Sequence, residues 1–208
     1  MDYLRSLPDK AFDISIVDPP YGLDKKSVQG SGKLKDRTLN RHNMDWDIKP
    51  SKAYWKELFR VSKNQVICGG NYFQLPPCRC FVCWDKQQVW DNFSQCEFIW
   101  TSFDKPAKLF SFPNRGGKTD IGWHPTSKPM ELYAYLIKTF AKPGDRILDT
   151  HLGSGTSRVA AYKLGYDFVG IERDKEYFDK SVEFFNMECL GISKTKSGHT
   201  VIQTSLFE

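Results

Sequence analysis

The 208-residue sequence contains no apolar run of about 18 residues, the length needed to span a membrane. Its first five residues lack the basic and then apolar pattern of a secretory leader. Six cysteines are present, but they form no paired C-x2-C knuckles. From these absences we expect a soluble cytoplasmic chain with no membrane partner, no disulfides and no metal.

One group of cysteines allows an alternative. Cys78, Cys80 and Cys83, with Cys68 or Cys96 as a fourth ligand, have spacing compatible with zinc, which would indicate a zinc-dependent DNA-binding protein. Residues 80–84, however, have the composition of a buried strand, in which free cysteine acts as a small apolar residue. We therefore predict no metal site, and a metal assay would decide between the two interpretations.

The composition allows one globular domain over residues 1–208, because 40% of the residues are hydrophobic. The net charge of +5 permits nucleic acid as a partner without requiring it. Hydrophobic periodicity predicts two helices before the C-terminal third, at residues 51–62 and from Pro129 onward. It also predicts the following strands: residues 12–17, 65–68, 80–84, 96–101, 108–112, 146–149 and 168–172.

The first chemical motif is Asp18-Pro19-Pro20-Tyr21, at the end of the apolar run 12–17. Two prolines end a strand because neither donates a backbone hydrogen bond to a sheet. The carboxylate and the aromatic ring therefore lie at the carboxyl end of a strand, where open α/β sheets bind ligands. This pattern suits a flat heterocycle that bears an exocyclic amine.

A second motif follows the strand at residues 146–149. Asp149 is succeeded by Gly153-Ser154-Gly155-Thr156, whose glycines let the backbone approach a ligand at a helix N-terminus. Glu172 ends the next strand, where a carboxylate binds ribose hydroxyls. The third glycine of the dinucleotide fingerprint is missing, which favours a nucleoside cofactor without pyrophosphate. Asp149 would attract an amine or sulfonium cation. The alternative is an ordinary strand-to-helix turn.

Residues 22–49 are polar and basic, with no helical or strand period, and predict a long mobile loop. The loop is either a solvated linker or a flap that contacts DNA phosphates beside the active site. The candidate DNA-binding residues are those of the loop and one later arginine: Lys25, Lys26, Lys33, Lys35, Arg37, Arg41 and Arg115.

The order of these motifs is specific. Asp18-Pro19-Pro20-Tyr21 comes first, then His124-Pro125-Thr126-Ser127-Lys128-Pro129, then the glycine turn and Glu172. The chain therefore resembles the β group of DNA adenine-N6 methyltransferases, in particular small phage- or prophage-type members found in bacterial or phage-infected cells. Two departures are Thr150-His151 in place of the usual Pro-Phe, and a short target-recognition region at about residues 75–122.

The resemblance implies a Rossmann-like α/β fold, a mixed sheet flanked by helices, in which the catalytic strand precedes the cofactor strand. It implies a restriction-modification type of enzyme that transfers a methyl group from S-adenosylmethionine (SAM) to N6 of a flipped adenine in double-stranded DNA. Asp18 and the Pro19 carbonyl would accept the amine protons, Pro20 would keep the turn rigid, and Tyr21 would stack on the base.

The cofactor roles are also implied by the resemblance. Glu172 would bind the ribose, and Asp18 and the glycine turn (Asp149, Gly153, Ser154, Gly155, Thr156) would line the cofactor. Thr126 and Lys128 would hold the methionine carboxylate. By position alone, residues 126–129 are instead a helix cap.

Several alternatives stay open. The enzyme could methylate cytosine N4, although that activity usually goes with Ser before Pro-Pro-Tyr. It could methylate RNA or a protein amide, or be an inactive SAM-fold partner that only binds DNA. Because the recognition region is short, a homodimer is a candidate arrangement.

The C-terminal sequence Gln203-Thr204-Ser205-Leu206-Phe207 is similar to the peptide that docks bacterial proteins on the replication sliding clamp. Its alternation of apolar and polar residues also fits a strand that completes the sheet at residues 200–207, which is the interpretation we prefer.

Overall fold

The computed structural model describes residues 1–23, 47–88, 94–114, 123–124, 126–194 and 197–202. In chain order the elements are α1 (Asp2–Ser6), β1 (Phe12–Val17), α2 (Lys52–Val61), β2 (Ser62–Cys68), a 3₁₀ turn (Gly70–Tyr72), β3 (Phe81–Asp85), β4 (Cys96–Thr101), β5 (Lys108–Ser111), α3 (Met130–Phe140), β6 (Arg146–Asp149), α4 (Thr156–Lys163), β7 (Asp167–Gly170), α5 (Lys175–Leu190), β8 (Ile192–Lys194) and β9 (Thr200–Ile202). In that part of the chain, no helix is long and apolar enough to cross a membrane.

The main sheet has seven strands in the order β5-β3-β4-β2-β1-β6-β7. β4 runs antiparallel to its neighbours β2 and β3, whereas the other pairs are parallel. β1 lies in the interior of the sheet, next to the central strand β2, and pairs with both β2 and β6. The strand that carries the Asp18 motif is therefore adjacent to the strand that carries the glycine turn.

Helices cover both faces of this sheet, because successive strand residues point to opposite sides. In β2, Val66 packs into a core formed with α3 and α4, while Ile67 packs into the core formed with α2. Leu58 of α2 and Leu136 of α3 are both fully buried in these two cores. Burial on both faces explains the continuous apolar runs of the central strands.

The helix caps have the chemistry that the sequence indicates. The Ser51 hydroxyl accepts the Tyr54 N–H at the start of α2. The Asp174 carboxylate accepts two N–H groups at the start of α5, and Gly191 ends that helix at a φ of 65°. Pro129 is the N-cap of α3, one position before the first helical turn.

The predicted strand at the C-terminus is confirmed only in part. Thr200–Ile202 is a strand, but it pairs with β8 in a separate two-stranded sheet, so the prediction that it completes the main sheet is wrong. Gly191 turns the chain directly from α5 into β8, which gives β9 a partner before the main sheet is reached. The proposed clamp peptide, Gln203 to Phe207, lies outside the described residues.

Candidate active site

The predicted site residues come together at one edge of the main sheet, where the parallel strands end. Asp18 follows β1, Asp149 ends β6, and Glu172 lies shortly after β7. The 3₁₀ turn after β2 and the segment before α3 lie at the same edge, since their side chains contact Tyr21. This edge is the one at which open α/β sheets bind their ligands.

A buried charge network surrounds Asp18. The Lys128 ammonium lies 2.6 Å from Asp18 Oδ1 and 3.3 Å from Glu97 Oε1, and it donates to the Tyr21 hydroxyl oxygen at 2.9 Å. Lys86 lies 2.9 Å from Glu97 Oε2. Two carboxylates thus face two ammonium groups, which is the balance that a buried site requires. We call Asp18, Lys86, Glu97 and Lys128 the charge network.

The charges in this network set one another's pKa values. Burial alone would lower the pKa of Lys128, but Asp18 and Glu97 raise it above its ordinary value. Burial would raise the pKa of Glu97, but the two lysines lower it below its ordinary value. Burial raises the pKa of Asp18, and Lys128 opposes this rise. Asp18 is therefore the network carboxylate that protonates more readily.

Tyr21 is held from two sides. Its ring stacks on Tyr72 with centroids 4.7 Å apart, and its hydroxyl lies 2.8 Å from Asp18 Oδ1 and 2.9 Å from Glu97 Oε1. A hydroxyl has one proton, so it donates to one of these carboxylates at a time. Gly69, at a φ of 64°, lets the ring lie against the backbone, because a Cβ there would be 2.3 Å from Tyr21 Cε1.

The glycine turn and Glu172 form one unit. The Glu172 carboxylate accepts the Gly153 N–H at 2.8 Å, and it also accepts the N–H groups of Arg173 and Asp174. Gly153 and Gly155 have φ values of 51° and 80°, which L side chains rarely adopt. The geometry places an acidic group directly at the turn, as the sequence predicts.

Asp149 is fully buried beneath this turn. Its carboxylate accepts the His151 N–H at 2.9 Å and the Ser157 hydroxyl at 2.6 Å. Burial raises the pKa of Asp149 to about 7, against the lowering effect of these two hydrogen bonds. The contacts make Asp149 an organiser of the turn.

The residues at this turn fit a nucleoside cofactor. A Cβ at Gly153 would lie 3.0 Å from His124 Nε2, so only a glycine leaves this approach open. His124 Nδ1 is buried and has no hydrogen-bond partner among the residues that the structure describes. Burial lowers the pKa of His124 to about 4, so the ring is neutral and has one nitrogen free to accept a hydrogen bond.

The segment before α3 divides between the two halves of the site. Thr126 is exposed, whereas the Ser127 hydroxyl lies 3.0 Å from the Ser154 hydroxyl of the glycine turn. Ser154 and Thr156 are themselves buried. Lys128, the next residue, belongs to the charge network. Each of its three N–H bonds has an acceptor there, so these contacts do not support a direct bond to a cofactor carboxylate.

Thr150 and His151, which replace the usual Pro-Phe of the resemblance, contact α2. The Tyr54 hydroxyl of α2 lies 2.6 Å from Thr150 Oγ1, which lies 3.0 Å from His151 Nδ1. Burial lowers the pKa of His151 to about 4. Neutral polar groups therefore connect the glycine turn to α2.

The candidate DNA-binding residues (Lys25, Lys26, Lys33, Lys35, Arg37, Arg41 and Arg115) lie outside the described residues. The structure describes the first and last residues of the predicted loop. The N–H groups of Gly22 and Leu23 donate to the two carboxylate oxygens of Asp47, at 2.8 and 2.9 Å. Gly22 and Leu23, directly after the Asp18 turn, are therefore held next to Asp47.

The sequence analysis missed Glu97 and Lys86. Glu97 had a detectable signal: it lies two residues before Ile99, on the inward face of a strand whose next residues are apolar. A charged residue on an inward face requires a partner. Lys86 lies across the antiparallel β3–β4 pair from Glu97, whereas Lys128 is distant in sequence and only the fold brings it to Glu97.

Cysteine positions do not reproduce the predicted zinc alternative. Cys80 is buried in the core, and Cys68 lies beside Asp18 and Glu97, where their ligand atoms are within 4.8 Å of one another. Lys128 already provides the counter-charge at that place.

Comparisons with known proteins agree with this geometry. Residues 84–183 match the N6/N4 methyltransferase family model, described as DNA methylase. The type II methyltransferase M2.LlaDCHI of Lactococcus lactis subsp. cremoris is 46% identical, and the match covers 84% of this chain and 82% of that protein.

Two solved structures show the same fold. TTHA0409 of Thermus thermophilus, complexed with S-adenosyl-L-methionine, has a TM-score of 0.56 at 20% identity, over 91% of this chain and 93% of that chain. PvuII DNA methyltransferase, which is cytosine-N4-specific, has a TM-score of 0.58 at 16% identity, over 86% and 81% of the two chains. The predicted α/β fold is thereby confirmed.

Proposed function

This chain belongs to the N6/N4 DNA methyltransferase family, with S-adenosylmethionine as its cofactor, and on that premise we propose that it methylates N6 of adenine in double-stranded DNA. The observation that carries the proposal is the Asp18 carboxylate, held by Lys128 and Tyr21 beside the glycine turn. An aspartate before Pro-Pro-Tyr, in place of serine, favours adenine over cytosine N4.

Asp18 would activate the amine of the base. The N6 lone pair of adenine is delocalised into the ring, which makes the amine a poor nucleophile. A carboxylate that accepts one N–H and the Pro19 carbonyl that accepts the other would draw the nitrogen towards a tetrahedral geometry and free the lone pair. No strong general base is required, because the methylated nitrogen is acidic and loses its proton readily.

Tyr21 would contact the base after it leaves the duplex, since the target atom is unreachable within the stack. Its ring is already fixed by Tyr72 on one side and by its hydroxyl in the charge network. A ring that is fixed before binding loses little conformational entropy when it meets the base.

The cofactor would lie at the glycine turn, where Glu172 would bind ribose hydroxyls and Gly153 and Gly155 would let the backbone approach it. SAM supplies the methyl group when bound. The Ser127–Ser154 contact ties the segment before α3 to this turn and so keeps the two halves of the site in register.

Product analysis tests the base assignment. We expect that incubation with double-stranded DNA and methyl-labelled SAM, followed by digestion to nucleosides and mass spectrometry, yields N6-methyladenine. A duplex in which every cytosine already carries an N4-methyl group should remain a substrate. A duplex in which every adenine carries an N6-methyl group should not. Labelled N4-methylcytosine as the product would refute the adenine assignment.

A further inference from the structure

We propose that Lys128 and Glu97 are positioning residues for methyl transfer: Lys128 holds Asp18 as a carboxylate with one oxygen presented to the incoming amine, and Glu97 holds Lys128 in place. This inference rests on the proposed function, because the amine belongs to its substrate. Lys128 and Glu97 would not themselves react, and the positioning role explains why four charged groups are buried at one edge of the sheet.

Lys128 has an acceptor, within the charge network or on Tyr21, for each of its three N–H bonds. An ammonium group has three N–H bonds, and three oxygens lie around Nζ: Asp18 Oδ1 at 2.6 Å, the Tyr21 hydroxyl at 2.9 Å and Glu97 Oε1 at 3.3 Å. The side chain is only 7% exposed. Water therefore does not compete for these bonds, and the ammonium is fixed in place.

The two carboxylate oxygens of Asp18 have different surroundings. Both of its side-chain contacts, with Lys128 and with the Tyr21 hydroxyl, go to Oδ1. Within the described ranges, Oδ2 receives no hydrogen bond, and the side chain keeps 17% of its surface exposed. One oxygen is thus anchored to the protein, and the other remains an acceptor for an amine proton.

Glu97 contacts both lysines of the charge network and also acts on Asp18. Glu97 bridges the two lysines: its Oε1 faces Lys128 and its Oε2 faces Lys86. Without Glu97, Lys86 would have no counter-charge in the charge network. The Glu97 side chain is 6% exposed. Glu97 also raises the pKa of Asp18, because two nearby carboxylates repel each other. Lys128 and Glu97 therefore act on Asp18 in opposite directions.

The surrounding groups define what a titration would report. Those that act on Asp18, or on which Asp18 or Lys128 acts, come from the turn after β1, from β2, β4, β6 and α3, and from the segment before α3: Tyr21, Cys68, Glu97, Asp149, Tyr133, His124 and Lys128. Lys86, directly after β3, acts on Glu97. Burial raises the pKa of Cys68, Tyr21 and Tyr133, so they stay neutral. Removal of Lys128 would leave Asp18 and Glu97 facing one ammonium group, that of Lys86, and one of the two carboxylates would take a proton.

Single-turnover rates measured across pH test the proposal with Lys128→Met, Glu97→Gln and the double variant. We expect Lys128→Met to slow methyl transfer on the order of 100-fold near neutral pH and to move the acidic limb of the profile to higher pH. Glu97→Gln should move that limb to lower pH, and the double variant should move it back towards wild type. Lys56→Met, on the exposed face of α2, is the control and should change neither property.

A second measurement reads Asp18 without catalysis. In carboxyl-labelled protein, with Asp18→Asn used for assignment, the NMR titration of Asp18 should move upward in Lys128→Met and downward in Glu97→Gln. If the wild type methylates no base, the proposed function fails and this titration alone decides the inference. A product on cytosine would correct the base and leave the inference in place.

SAM affinity, measured by calorimetry, separates positioning from cofactor binding. We expect both single variants to bind SAM within about threefold of wild type, a change of less than about 1 kcal/mol. Unchanged pH limbs and an unchanged Asp18 titration would overturn the proposal. Loss of SAM binding in Lys128→Met with an unchanged pH limb would instead assign Lys128 to the cofactor. If Lys128→Met does not fold, Glu97→Gln and the double variant still test the opposing shifts.

Discussion

Two aspartates at neighbouring strand ends, Asp18 after β1 and Asp149 at the end of β6, have different surroundings. Asp18 lies 2.6 Å from an ammonium group and keeps part of its surface exposed. Asp149 is fully buried, and its partners are a backbone N–H and the Ser157 hydroxyl. The strands are adjacent and parallel, so position in the sheet does not distinguish the two carboxyl groups.

Their partners do distinguish them. Burial raises both pKa values: Lys128 opposes the rise at Asp18, whereas two neutral donors oppose it at Asp149, whose pKa is about 7. Asp18 faces Lys128, which favours its ionised form. The same residue at the same edge therefore keeps one oxygen without a protein donor among the described residues, or has its oxygens engaged in organising a turn, according to what lies opposite it.

The largest expected effect is that of Asp18→Ala on catalysis. Loss of the carboxylate removes the main acceptor for the amine protons, so we expect methyl transfer to fall at least about 1,000-fold. SAM binding should persist, because the glycine turn is untouched. Single-turnover rates and calorimetry measure the two quantities. A near wild-type rate in Asp18→Ala would contradict the proposed role of Asp18 as acceptor for the amine protons.

Asp149→Asn tests the second aspartate of the comparison through the pH dependence of the protein's stability. In the folded protein Asp149 holds its proton up to a pH of about 7, whereas in the unfolded chain it releases it near 3.8. Its stabilising contribution is therefore complete below the unfolded value and is lost as the pH rises through the folded value.

We accordingly expect the wild type to lose roughly 2 kcal/mol of unfolding free energy relative to Asp149→Asn between about pH 5 and 8. Urea denaturation at several pH values measures this. Asp179→Asn, at a surface position of α5, is the control and should follow the wild type. Parallel curves for wild type and Asp149→Asn would show that Asp149 is ionised in both states.

Gly69→Ala tests the Asp18 side through Tyr21. The new Cβ would lie 2.3 Å from the Tyr21 ring, which must then move away from Asp18 and Tyr72. We expect the single-turnover rate to fall about 10- to 100-fold. Gly144→Ala is the matched control, since Gly144 has a φ of 87° and a Cβ added there would have no atom within 4 Å among the described residues.

Both glycine variants should lose about 1–2 kcal/mol of stability from the left-handed backbone. Only Gly69→Ala should lose activity. Equal rates in the two variants would mean that the position of Tyr21 does not matter for the Asp18 half of the site.

Most of the fold was predictable because the signals are local. Apolar runs and the prolines after Val17 mark β1, and Asp174 and Gly191 mark the ends of α5. The C-terminal strand was assigned to the wrong sheet, since strand composition does not specify a partner. Of the candidate site, local patterns at strand ends already point to Asp18, Tyr21, the glycine turn and Glu172, and the fold brings them to one edge of the sheet.

The partners within the site were not predictable in the same way. The resemblance assigns Lys128 to the methionine carboxylate of the cofactor, since a cation suits that anion, yet its contacts lie in the charge network. Glu97 was passed over as one residue of a strand. A side chain of this length can reach either half of the site, and a sequence pattern does not fix its direction.

The sequence by itself determined the order and approximate position of the strands of the main sheet, and that Asp18, Tyr21, Asp149, Gly153 and Glu172 lie at or just after strand ends, because turn chemistry and hydrophobic period act over a few residues. The tertiary structure alone decided which charges meet. Strand β4 runs against its neighbours and brings Glu97 to the edge at which Asp18, Lys86 and Lys128 lie. Long-range electrostatic pairing depends on distances between segments that only the folded chain sets.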